Sequence, residues 1–284
     1  MTHLIALIDG SGYSQSVCDL TRWVAERTDA SVDLMHVLGR RGVGSEPTDL
    51  SGSLKLGART ALLKELADLD EQKNKLELKR GRLLLEEAKT GLEEAGLKSV
   101  GTKLRHGDLI EGIAEFEGEA DLILVGKRGE AAGLAMEHLG SNLERIVRAS
   151  HRPVYIANRA FKPINSVLVA FDGGPSSLKA IDYIARSPMF AGLTVTLVFA
   201  GKNTPAIQKS LSDATATLKA GGFEAKTIVE SGEPEKVLAQ ITSTGAHELL
   251  VMGAYGHSRV RSFIIGSTTT EMIRSCKVPI LIMR

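Results

Sequence analysis

The chain has 284 residues, of which 43% are apolar and 24% charged, the proportions of a soluble globular protein. That length suits about two domains of ordinary size. Lys and Arg number 35 against 34 Asp and Glu, leaving a formal charge of +1 with no polybasic tract, which argues against nucleic acid or an anionic membrane as a partner.

Met1 leads directly into the apolar run Leu4 to Ile8, which ends at Asp9. With no basic start and no cleavage-like site, this reads as a first strand and not as a signal peptide. No apolar stretch reaches the roughly 18 residues of a membrane span, so a cytosolic protein is expected. Cys18 and Trp23 follow at helical spacing and read as core. A second strand covers Val32 to Val37, and its His36, beside Leu34 and Met35, reads as a packed strand-end residue. Cys18 and Cys276 lack any Cys-x-x-Cys spacing and are expected as reduced, core-filling thiols.

Ala58 to about Ala95 is the longest helical pattern in the chain. Leu62, Leu66, Leu69, Leu76 and Leu83 fall at a/d-like spacing, interrupted by Lys73 and Arg80. A continuous helix would reach about 55 Å at 1.5 Å per residue; a break at Gly81 is the alternative, glycine being a poor helix former. The apolar stripe needs a cover, expected from its own domain or from a second subunit before any separate partner.

Beyond this insertion the chain repeats itself. Leu4 to Ser11 matches Val167 to Gly174, Val32 to Val37 matches Val195 to Phe199, and Asp121 to Gly126 matches Glu248 to Gly253. Gly140 and Pro153 stand thirteen positions apart, as do Gly266 and Pro279. The offset between halves falls from 163 at Asp9 and Asp172 to 126 at Pro153 and Pro279, so the first half carries a net 37 extra residues, mostly between Leu38 and Leu97.

In the second half, strands are predicted near 166–171, 193–199, 225–230, 248–252 and 278–283, with helices near 175–187, 204–221, 234–244 and 266–276. Strand–helix alternation with continuous Val, Ile and Leu runs implies parallel sheets covered on both faces. The expectation is an α/β chain of two doubly wound parallel-sheet domains in tandem: residues 1–157, with a helical insertion about 40–80, and residues 164–284, joined by the linker 158–163.

Ligands of such folds bind beyond the C-terminal strand ends, at the point where strand order reverses. Asp172 and Gly253 both close predicted strands there. Gly253 and Gly256, nine residues, then Gly266-Ser267-Thr268 entering a helix would offer backbone amides and hydroxyls to anionic oxygens. Each piece alone is equally well a turn or a helix cap. Tyr255, His257, Arg259 and Arg261 lie in the same loop and are expected to face solvent.

Chemistry beyond binding is hard to find. The seven histidines are scattered, with no His-x-x-x-His and no metal constellation. Gly-x-Ser-x-Gly and the Walker lysine motif are missing. Asp9 to Gln15 holds only two of the three Rossmann glycines, and Asp172 to Ser177 departs from the Ser-Gly-Gly-x-Asp-Ser loop of adenylating enzymes at both key positions.

On the pattern Gly253-x-x-Gly256, nine residues, Gly266-Ser267, with Asp172 after the first strand, the chain resembles a tandem universal stress protein, both halves being similar to that family. The resemblance implies a Rossmann-like fold of the adenine nucleotide alpha hydrolase type. It also implies ATP, with or without magnesium, at Ala170, Phe171, Asp172, Phe199, Met252, Gly253, Gly256, Gly266, Ser267 and Thr268. The first half has Gly126 and Gly129 but ten residues, not nine, before Gly140-Ser141. Asp9, Val37, Gly126, Gly129, Gly140 and Ser141 are therefore secondary candidates. The implied role is a cytosolic stress-response regulator with at most slow ATP hydrolysis, either homodimeric or a pseudo-dimer within one chain. The alternative is a nucleotide-free scaffold acting through protein–protein contacts.

Overall fold

The computed structural model describes residues 2–39, 56–129, 141–254 and 266–284. The first half runs β1 (His3–Leu7), α1 (Ser14–Thr28), β2 (Ser31–Leu38), α2 (Leu56–Glu94), β3 (Val100–His106), α3 (Leu109–Glu117), β4 (Leu122–Gly126), α4 (Ser141–Ala149) and β5 (Val154–Ala157). The second runs β6 (Ser166–Ala170), α5 (Pro175–Arg186), β7 (Thr194–Ala200), α6 (Pro205–Ala220), β8 (Ala225–Glu230), α7 (Pro234–Ser243), β9 (Leu249–Gly253), α8 (Ser267–Ser275) and β10 (Ile280–Met283).

Local chemistry sets the helix starts. Proline opens α5, α6 and α7, where its fixed φ suits the first turn and its missing N–H costs nothing. Asp108 caps α3 by accepting from the amides of Ile110 and Glu111, and Thr204 caps α6 through Ile207. Along β1, Leu4 and Ala6 join the core on one face of the sheet while Ile5 and Leu7 join the other. That double burial explains the continuous apolar runs.

The strands form one ten-stranded sheet in the order β3-β2-β1-β4-β5-β10-β9-β6-β7-β8. Each half is internally parallel and doubly wound. The halves meet where β5 and β10 pair antiparallel, Leu281 opposite Tyr155. Both core clusters run through this seam, one uniting Tyr155 with Leu281 and the other Ile156 with Ile280. Because the seam is antiparallel, the C-terminal strand ends of the two halves point to opposite edges of the sheet.

The inserted helix decides between alternatives that its sequence left open. α2 is continuous over 39 residues, about 58 Å at 1.5 Å per residue, and does not break at Gly81. There the glycine serves packing: a Cβ would lie 2.9 Å from Leu104 Cδ1 and 3.0 Å from His36 Cδ2. Leu85 and Leu92 are buried in the core, but the apolar stripe is not packed on its own domain. Leu62, Leu66, Leu69, Leu76 and Leu83 are all exposed, from 36% at Leu62 to 67% at Leu76.

Candidate functional site

In each half the first strand lies between its second and fourth, so the strand order reverses at β1/β4 and at β6/β9. In the second half, β6 ends at Ala170, and the buried Phe171 donates its amide to Val198 O at 2.9 Å. The chain then turns at Asp172, whose Oδ1 accepts from Gly174 N (2.8 Å) and Ser177 Oγ (2.7 Å). Gly173 takes φ +75°, a conformation glycine adopts without strain. The Asp172 carboxylate thus organises the entry to α5.

Next to it, β9 ends in the buried Met252 and the half-buried Gly253. A Cβ on Gly253 would sit 2.7 Å from Ser176 Cβ, so this glycine admits the first turn of α5. The sequence suggested ligand approach or a turn; Ser176 is a partner that no local signal announced. Ala254 N donates to Met283 O, and Gly266 N to Ala254 O at 3.4 Å, which brings the two ends of the glycine loop together. Gly256, Tyr255, His257, Arg259 and Arg261 lie outside the described residues.

From Gly266, α8 starts without a side-chain cap, Ser267 exposed and Thr268 half-buried with its Oγ1 3.4 Å from Glu235 Oε2. Thr269, which the sequence reading missed, ties this turn to the strand end by donating to Gly253 O or Ala254 O (3.3 and 3.2 Å). Its place in the run Thr268 to Thr270 was the available signal. Phe199 lies near the end of β7, half-buried against the core. Phe199, Asp172 and Gly253 therefore stand at the C-terminal ends of three neighbouring strands, and α8 begins beside them.

The first half has the same plan with different filling. Asp9 Oδ1 accepts from Ser11 N (3.0 Å) and Ser14 Oγ (3.4 Å), and a Cβ on Gly126 would lie 2.8 Å from Tyr13 Cβ. Gly129 passes so close to Asp9 that a Cβ would meet Oδ2 at 2.9 Å. Over the turn at Gly10 lie Arg80 and Leu84 of α2, where the second half places only Ser210 beside Gly173. Val37 packs on the core near Gly112, and His36 Nδ1 bonds Ile8 O at 2.7 Å, as its packed reading anticipated. Ser141 opens α4, and Gly140 falls outside the described residues.

Lys127, next to Gly126, points away from this crevice: Nζ donates to Cys276 O at 2.6 Å, and burial pushes its pKa below the ordinary 10.5. Among the described residues no cluster of three His, Cys, Asp or Glu could hold a metal, and no helix is long and apolar enough to cross a membrane. A cavity of about 880 Å³ lies between α1 and α5, lined by Val24, Thr28, Leu178, Tyr183 and Met283 among others, but its lining includes none of the expected site residues.

Against known proteins, a family model described as "Universal stress protein family" matches residues 1–158 and 201–284. Universal stress protein Slr1230 of Synechocystis sp. is 34% identical over 287 residues, covering 100% of both chains. Universal stress protein Rv2005c of Mycobacterium tuberculosis is 24% identical over 207 residues, 66% of this chain and 69% of its own. Among solved structures, a universal stress protein from Archaeoglobus fulgidus matches with a TM-score of 0.73 at 20% identity, covering 99% of this chain and 98% of that one, a likeness of fold.

Proposed function

The chain belongs to the universal stress protein family, and from that premise we propose that it binds ATP at the C-terminal strand edge of its second half. The observation that supports this most is the convergence of Phe199, Asp172 and Gly253 at the ends of β7, β6 and β9, with the N-terminus of α8 opening beside them. First-turn amides have no intrahelical partner, and the helix dipole favours negative charge there, so α8 is the natural seat for phosphates. Asp172 suits the hydroxyls of ribose or the amino group of adenine. Magnesium, when present, would be held by the phosphates and water, since Asp172 Oδ1 already serves Gly174 and Ser177. The first half is the weaker site, because Arg80 and Leu84 crowd its turn.

In this reading the protein is a cytosolic stress-response regulator whose nucleotide is a signal, with hydrolysis slow at most. Titration calorimetry with ATP tests it, comparing the intact protein with Ser267→Glu. Ser267 is exposed, and an acidic residue in a first helical turn leaves the fold intact, yet it repels phosphate. Affinity should fall at least about tenfold, one step of about 1.4 kcal/mol. Equal affinity in both proteins would remove this site from consideration. A nucleotide-free scaffold is the second reading, favoured by the exposed leucines of α2, and an intact protein silent to millimolar ATP would leave it standing.

A further inference from the structure

The exposed length of α2 carries a stripe of leucines. Every residue from Leu62 to Leu76 is exposed, and Leu83 is 61% exposed although Leu85 beside it is buried. Leu62, Leu69, Leu76 and Leu83 recur every seven residues, with Leu66 and Lys73 at the alternate positions between them; Arg80, next in that series, turns its guanidinium onto the Gly10 turn of its own domain. This stripe lies on a different side of the helix from Gly81, Leu85 and Leu92, which face the domain. The seam from Leu62 to Leu83 is about 32 Å long.

We propose that α2 pairs antiparallel with α2 of a second copy of this chain. Charge selects both the partner and the direction. In a parallel, in-register pair Lys73 would face Lys73 of the other copy, burying like charges together. In the antiparallel pair centred between Asn74 and Lys75, Leu66 meets Leu83 and Lys73 meets Leu76. Glu77, next to the seam leucine Leu76, then lies beside Lys73 of the other copy. Long basic side chains lay their methylenes on the leucines and send their charge to the flanking carboxylates. Two-fold symmetry makes each of these contacts twice. The sheet offers no competing seam at β5 or β10, since those strands pair with each other inside one chain.

Sedimentation of the full-length protein tests this, with variants at exposed positions that leave the core untouched. The intact chain should show a concentration-dependent dimer, and Leu69→Ser with Leu76→Ser should be monomeric with unchanged circular dichroism. Lys73→Glu alone, or Glu77→Lys alone, should weaken the dimer about tenfold, and the two together should restore it. Leu66→Cys should form no intermolecular disulfide under oxidation, because antiparallel pairing holds the two thiols far apart. A monomer at all concentrations, a dimer indifferent to the serine variant, or a Leu66→Cys disulfide would overturn the proposal. A monomer would leave the face to a different partner or to solvent.

Discussion

Asn158 and Arg284 occupy the same place in the two halves, 126 positions apart, and each reaches across the seam to the end of the other half's last helix. Asn158 Nδ2 donates to Lys277 O beyond α8. Arg284 Nη1 donates to Arg148 O at 2.6 Å and to Ser150 O, around the end of α4. The last carbonyls of a helix lack intrahelical donors and form its negative pole, so a cation there satisfies both needs. Lys127, donating to Cys276 O, adds a second donor at the α8 end. The short β5–β10 pairing is thus clamped from both sides.

Arg284→Ala should destabilise the protein by about 1.5–3 kcal/mol, the range for hydrogen bonds made by a charged group. Urea unfolding at neutral pH measures it as a lower midpoint. An unchanged midpoint would mean that the strand pairing and core hold the halves together unaided.

Glu117 links the end of α3 to the segment after α4: its Oε1 accepts from Ser150 Oγ, His151 N (2.6 Å) and Arg152 N (3.2 Å). Burial pushes the carboxyl's pKa up, but these hydrogen bonds outweigh it and hold the value below the ordinary 4.5. With the folded value below the unfolded one, the group contributes stability above about pH 4.5 and loses it as the pH falls through the folded value. Glu117→Gln should therefore be less stable than the intact protein at pH 7, and the gap should close in acid. A gap constant with pH would refute the assignment.

Gly253→Ala should cost about 1–3 kcal/mol before any ligand is added, the usual penalty of overpacking, because its Cβ would press on Ser176. Differential scanning calorimetry of the ligand-free protein should show the loss. A wild-type melting temperature would show that α5 yields freely. Loss of ATP binding in this variant would then report packing as well as contact, which is why Ser267→Glu is the cleaner probe.

Both cysteines are buried and unpaired, and burial, aided by Asp19, pushes the Cys18 thiol to about 11. Iodoacetamide at pH 8 should leave the native protein unlabelled and modify both thiols in urea, since only the thiolate reacts. Rapid native labelling would show that the α1 or α8 packing opens readily.

Much of this was legible in the sequence. The second-half elements fall within two residues of the predicted ends, since proline-led helix starts and doubly buried strands leave strong local marks. Asp172 and Gly253 come to one edge as the strand-end argument required. What stayed hidden has a common cause. A break at Gly81 stood beside a continuous helix as an open alternative because local propensity knows nothing of Leu104 and His36 across the gap. The leucine stripe called for a cover from its own domain or from a second subunit, because spacing reveals an apolar face but not what covers it.

The amino-acid order by itself determined the duplicated α/β plan, the doubly wound halves and the strand ends at which acidic and glycine residues gather. These follow from periodicity and turn chemistry over a few neighbouring residues. Only the tertiary structure decided that β5 and β10 join antiparallel, sending the two crevices to opposite edges, that Ser176 occupies the space beside Gly253, and that the stretch of α2 from Leu62 to Leu76 stands exposed while its later turns pack on the domain. Each of those depends on residues distant in the chain meeting in space, where shape and charge choose the partner and no local pattern records the choice.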